Sequence, residues 1–142
     1  MAQEELEPEN LWLKGERQKV LEYLEAEGCR HAGVADWPTF HVDFSLALWS
    51  VQSTRHIGRT GWWAISGDVP IDYMSSSDGE DPRDALRHFA AEWEEVAKYM
   101  RRGESHPTLE MGNPREWPEM ADLLEQRTQA LREYSDDPNL WE

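Results

Sequence analysis

Residues 40–49 read Phe-His-Val-Asp-Phe-Ser-Leu-Ala-Leu-Trp (FHVDFSLALW). Large apolar side chains take every second position, Phe40, Val42, Phe44, Leu46 and Leu48, with His41, Asp43, Ser45, Ala47 and Trp49 between them. Such alternation sends the two sets to opposite faces of an extended chain, so the stretch predicts a strand with one buried face. A polar connection, 52–60, separates it from Gly61–Ser66 (GWWAIS), a second strand expected to run antiparallel to the first. Gly67, Asp68 and Pro70 mark a turn or bulge, and Ile71–Met74 reads as a short third strand.

Helical spacing flanks this block on both sides. From Asn10, read as an N-cap, to Glu27 the apolar stripe is Leu13, Val20, Leu21 and Leu24, with Arg17 inside it and Gly28 as the stop. Arg17 is expected to pack its stem and send its head to water. Asp81 and Pro82 open a second helix whose stripe is Leu86, Phe89, Trp93, Val96, Ala97 and Met100, stopped by Gly103. A third, from about Pro118 to about Tyr134, carries Met120, Leu123, Leu124 and Leu131. Segregated strands and helices predict an α+β fold: a small antiparallel sheet of two to three strands packed against about three helices in a single domain. That domain is expected over 10–134, between an acidic, flexible lead-in (1–9) and an acidic tail (135–142).

Composition narrows the partners. The chain has 29 Asp and Glu against 14 Lys and Arg, a formal charge of −15, and eight tryptophans in 142 residues. Such charge opposes direct binding to nucleic acid or to an anionic membrane, and favours a basic protein as partner. Indole rings supply rigid contact area for cores and interfaces. A single cysteine, Cys29, excludes an internal disulfide. Glu4, Glu5, Glu7 and Glu9 crowd the first ten residues without an apolar run, so no secretory signal is expected. No apolar stretch is long enough for a transmembrane helix. The expected setting is cytoplasmic. The phosphate-loop and dinucleotide patterns GxxxxGK[ST] and GxGxxG are absent, as are HExxH and GxSxG, and no cofactor or metal is expected.

The run from Gly61 to Phe89 carries a more specific pattern. A strand ends in Ser66-Gly67-Asp68, followed by Pro70 and Asp72, and a helix then carries Arg83, Ala85, Leu86, Arg87, His88 and Phe89. This resembles a family of small uncharacterised bacterial proteins, mostly proteobacterial, catalogued as a domain of unknown function. The resemblance covers residues 11–100, with 104–134 read as a C-terminal helical extension. It implies a fold and no activity.

Asp68, Asp72, Arg83 and His88 are the candidate catalytic set, since carboxylates at a strand end beside a histidine can exchange protons. Structural roles are the simpler expectation: Asp68 capping a turn, Asp72 paired with Arg83, and His88 bonded to a backbone carbonyl. Asp84, His88 and Glu92 share a helix face at metal-ligand spacing, but a solvated, salt-bridged face is the better reading. Candidate protein-binding residues are Trp49, Trp62 and Trp63 on the sheet and Leu140 and Trp141 in the tail. Trp62 and Trp63 must face opposite ways, and Trp49 lies on the face opposite Leu46. The leading reading is a non-catalytic acidic binding or adaptor module. The alternatives are an inhibitor, immunity-type or DNA-mimic protein blocking a basic partner, and a small enzyme using the Asp68 set.

Overall fold

A computed structural model describes residues 7–79, 81–107 and 113–141. The chain divides into two compact units, Met1–Pro82 and Arg83–Glu142. The first holds helix α1 (Pro8–Ala26) and strands β1 (Phe40–Val42), β2 (Leu46–Gln52), β3 (Thr60–Gly67) and β4 (Asp72–Ser75). The strands form one sheet in the order β1-β2-β3-β4, each pair antiparallel.

The sheet has four strands rather than two to three because the 40–49 stretch is a hairpin. Phe40 pairs with Leu48 and Val42 with Leu46 around a turn at 43–45. Partners separated by an even number of residues fall on the same face, so alternation passes through the turn unbroken and hides it. The turn is closed by the Ser45 N–H donating to the Val42 carbonyl at 2.9 Å. Phe44, expected inside the strand, sits in this turn at φ +63°.

Between β2 and β3, Trp49 lies opposite Ala64, Ser50 opposite Trp63, and Val51 opposite Trp62. One face therefore carries Ala47, Trp49, Val51 and Ala64, and α1 lays Leu13, Val20 and Leu24 over it. All seven are 2% exposed or less. Each large apolar side chain so enclosed contributes on the order of 1.5–3 kcal/mol. The other face is buried as well, through Leu46, Leu48, Trp63, Ile65 and Met74. Both indoles on these faces find acceptors: Trp49 Nε1 donates to Ser66 Oγ at 3.2 Å and Trp63 Nε1 to the Gly79 carbonyl at 2.8 Å.

Helix α1 begins two residues before Asn10, with Pro8 in its first turn, and ends at Gly28 in the left-handed region (φ +73°), where Cys29 N–H reaches back to the Leu24 carbonyl. Arg17 does not escape to water. Its Nε and Nη2 donate to the carbonyls of Ala35 and Val34 at 3.0 and 2.7 Å. The segment it holds extends the sheet edge. Ala32 N–H donates to Gln52, Gln52 N–H to Gly33, Ala35 N–H to Ser50 and Thr39 N–H to Leu48, so residues 32–42 run beside β2 with 36–38 looped out of the ladder.

The second unit contains α2 (Pro82–Arg101) and α3 (Trp117–Asp136). Arg101, at the end of α2, binds Asp122 and Glu125 at 2.6 Å each, near the start of α3. Arg83 and Arg87, at the start of α2, reach Ser135 and Asp136 at the end of α3. The helices are therefore antiparallel. Leu86, Phe89, Trp93 and Val96 on α2 and Ala121, Leu124 and Leu131 on α3 are buried, whereas Leu123, expected in the stripe, is exposed. The tail folds back in a 3-10 turn, Pro138–Leu140, and Trp141 Nε1 donates to the Tyr134 carbonyl at 2.9 Å.

Ion pairs across this helix pair give it a pH dependence. The Arg132 hydrogen bond holds the Glu94 carboxyl below its ordinary range, and the Arg101 hydrogen bond does the same for Glu125. Depressed carboxylates contribute stability at neutral pH that is lost as pH falls through their folded-state values. Both side chains are more than a third exposed, so the effect is modest. Glu94→Gln with Glu125→Gln is expected to flatten the acid side of a stability–pH curve between about pH 5 and 3. An unchanged slope by urea titration at those pH values would count against these pairs.

Candidate functional site

The structure gives the Ser66-Gly67-Asp68 pattern a mechanical reason. Gly67 has φ +124°, and a Cβ there would lie 2.5 Å from the Ser45 carbonyl oxygen and 2.7 Å from Leu46 Cα. The backbone of β3 thus presses directly on the β1–β2 turn, and the next residue fastens it: Asp68 N–H donates to the same Ser45 carbonyl at 2.8 Å. Asp72 starts β4, and its Oδ1 accepts from the Tyr73 N–H at 2.8 Å. Tyr23 packs edge-on to Tyr73 with ring centroids 5.9 Å apart. Burial first, then the Asp72 charge, pushes the Tyr23 phenol well above its usual range.

The other half of the candidate set lies in the second unit. Arg83 Nε donates to the Ser135 carbonyl at 2.5 Å, placing a cation at the negative end of α3. Arg87 joins it through Asp136 at 3.4 Å. His88 Nε2 lies 3.0 Å from Glu92 Oε1, one turn along the same helix. Asp68 and Asp72 are thus in one unit and Arg83 and His88 in the other, so neither unit by itself holds more than two of the four. Among the described residues no three His, Cys, Asp or Glu side chains are grouped as metal ligands would be.

A residue that the sequence reading passed over is Glu16. It lies on α1 and is 3% exposed; Oε2 meets Lys19 Nζ at 2.8 Å, while Oε1 has no partner among the described residues. A cleft of about 400 Å³ opens beside it, lined also by Tyr23, Ser66, Gly67 and Ile71. Its position next to Arg17 in a charged helix gave no sign of burial, because tertiary contacts enclose it.

The exposed aromatic surface is not where Trp49 was expected to contribute to it. Trp49 has no exposed surface and Trp63 is 4% exposed, so both are core residues; Trp62 is half-buried on the α1 face. Helix α1 crosses the very face on which Trp49 and Trp62 sit. The open rings are Trp37 and Phe44, each 54% exposed. Trp37 rides the looped-out 36–38 segment and packs edge-on to His41, with centroids 5.6 Å apart. His41 Nδ1 lies 2.9 Å from Asp43 Oδ1, and the next residue, Phe44, meets Trp12 at 5.8 Å. One short run, His41 to Phe44, therefore ties together two aromatic pairs, with Asp36 and Asp43 exposed beside them. In the tail Leu140 is 40% exposed, whereas Trp141 is partly covered.

These features define an α+β protein whose sheet-bearing unit displays rings and carboxylates around a strained turn. The chain belongs to the family described as Domain of unknown function (DUF4826), whose pattern it matches over residues 7–141. The match runs through α3, beyond the 11–100 segment that carries the Ser66–Phe89 pattern. No curated protein and no solved structure matches the chain. Among the described residues no helix is long and apolar enough to cross a membrane.

Proposed function

We propose that this protein is a non-catalytic binding module that engages a basic protein through the aromatic surface at the β1–β2 turn. The observation that carries this reading is Phe44. A bulky residue at φ +63° pays roughly 1–2 kcal/mol over glycine, and this one holds its ring half in water. Strain retained at an exposed residue points to a role outside the fold. Trp37 and Trp12 add apolar area, and Asp43 and the fully exposed Asp36, 3.6 Å from Arg17, add the charge that would meet lysines and arginines on a partner. The surplus of carboxylates over the whole chain speeds encounter with such a partner. A cytoplasmic setting accords with the lone Cys29 thiol.

Structural duties for the Asp68 set support this over the enzyme reading. Arg83 holds a helix end and Asp72 accepts a backbone N–H within its own strand. A DNA mimic needs open rows of carboxylate, and on the helix pair Asp122 and Glu125 are taken by Arg101 and Glu94 by Arg132. An inhibitor of a basic partner would use the same aromatic surface.

Trp37→Ser is the direct test. The ring is 54% exposed and packs edge-on to His41, so the variant is expected to stay within about 1 kcal/mol of the parent in stability. Immobilised parent protein should retain a basic partner from cell lysate that salt releases, and Trp37→Ser should retain at most about a tenth as much, as a centrally placed Trp hot spot does. Equal retention by both, or none by either, would overturn the reading.

A further inference from the structure

The opposite end of the sheet carries a second feature, of opposite charge. The β2–β3 connection, 53–59, reads Ser-Thr-Arg-His-Ile-Gly-Arg. Between Phe44 and Gly67 the chain has no Asp or Glu at all, and its charged side chains there are Arg55 and Arg59. The loop is firmly built. Ser53 Oγ accepts from the N–H groups of Arg55 and His56 at 3.1 Å each, Arg59 N–H donates to the His56 carbonyl, and Ser53 N–H donates to the Arg59 carbonyl. Gly61 lets the two strands close up here, since a Cβ on it would lie 2.9 Å from Ser53 Cα.

Beside this loop lies a cleft of about 820 Å³. Arg30, Arg55, Arg59 and His56 line it, together with Trp62 and a set of hydroxyls that includes Thr60 and Ser76. Among the described residues lining it none is a carboxylate. Among the described residues none of the three arginines forms an ion pair, whereas Arg17, Arg87, Arg101, Arg102 and Arg132 all do. In a chain with 29 acidic residues and 14 basic ones carboxylates are in excess, yet three arginines border one cleft with no carboxylate among its described lining residues. Like charges held together cost free energy unless an anion offsets them.

We propose that this cleft binds a small phosphate-bearing ligand with a planar ring, of nucleotide size. Guanidinium forks match phosphate oxygens in a bidentate way, and Ser and Thr hydroxyls fill the remaining acceptor positions. Trp62, half-buried against the core, offers a fixed ring face for stacking. The volume falls in the range of small-molecule sites, roughly 300–1,000 Å³. Size selection follows from the charge of the whole chain. The local field is positive over about one screening length, near 8 Å, while a long polyanion would also meet a body of formal charge −15.

Isothermal titration calorimetry with ATP and with pyrophosphate, at low ionic strength, tests this on the full chain. Both are expected to bind saturably, ATP more tightly, and affinity should fall as salt rises. Arg55→Ala with Arg59→Ala alters exposed side chains only and should weaken both at least about tenfold, the worth of one charge-assisted hydrogen bond. Arg30→Glu, on a separate segment, should do the same. Trp62→Phe should reduce the preference for ATP over pyrophosphate and leave pyrophosphate affinity unchanged. No saturable heat from either probe up to about 10 mM, undiminished binding in the arginine variants, or tighter binding of a single-stranded oligonucleotide than of ATP would overturn the proposal.

Discussion

Gly67→Ala is expected to destabilise the protein by about 3–5 kcal/mol, more than any other single methyl addition considered. Two costs combine. An L residue at φ +124° is strained whatever the space around it, at about 1–3 kcal/mol. The added methyl must also displace backbone, the Ser45 carbonyl oxygen at 2.5 Å and Leu46 Cα at 2.7 Å, and overpacking of a fixed wall costs a further ~1–3 kcal/mol. Gly28→Ala is the control. It too has a positive φ, +73°, but nothing lies within 4 Å of its added Cβ, so it should lose only about 1–2 kcal/mol. Equilibrium urea unfolding of the two variants separates the terms. Equal losses would mean that β3 does not press on the β1–β2 turn.

The second large effect is at Trp49. Trp49→Ala is expected to cost about 3–5 kcal/mol, a large part of the ~5–15 kcal/mol that holds a domain of ordinary stability. The indole is wholly enclosed between α1 and the sheet, and its Nε1 is bonded to Ser66 Oγ, which is itself buried. Trp49→Phe keeps most of the apolar area, and the lost hydrogen bond and smaller volume should cost about 2 kcal/mol. Thermal or chemical unfolding will rank Trp49→Ala, Trp49→Phe and Trp37→Ser in that order of damage. If Trp37→Ser were as harmful as Trp49→Ala, the division between core and display tryptophans would be wrong.

That division shows how far the sequence could be read. Alternation over 40–49 assigned the paired residues of the hairpin to their correct faces, because Val42 and Leu46 are partners of like parity, but it misplaced Phe44, which lies in the turn. The same parity concealed the turn, and with it the fourth strand. Gly28 and Gly103, as stops, and the Leu86–Met100 stripe marked α1 and α2 directly, since capping and helical spacing are local properties. What covers a sheet face is not local. Alternation could set Trp62 and Trp63 on opposite faces but could not say which of them joins Trp49 or that α1 covers that face.

The site was less legible than the fold, for two reasons. Arg17 was expected to send its head to water and Glu16 drew no notice, yet one reaches backbone carbonyls of the 32–35 edge and the other is buried and paired with Lys19. Only tertiary contacts distinguish them. The acid-free run from Phe44 to Gly67, by contrast, stands in the sequence as a local charge pattern. It was masked by the formal charge of the whole chain, which averages a basic loop into an acidic body. For the motif residues Gly67, Arg83 and Arg87 the structure supplies structural duties, close backbone approach at the first and cations at a helix end for the other two.

Phe44→Gly offers the most direct test of the central claim, that strain at the β1–β2 turn is kept in order to present a ring to a partner. Removing the left-handed strain gains about 1–2 kcal/mol, while losing the Trp12 contact and stiffening at one position costs a similar amount. The account predicts a stability within about 1 kcal/mol of the parent, together with loss of partner capture in the same preparation. A fall of more than about 3 kcal/mol, of the size seen when a core aromatic is removed, with capture intact, would contradict it.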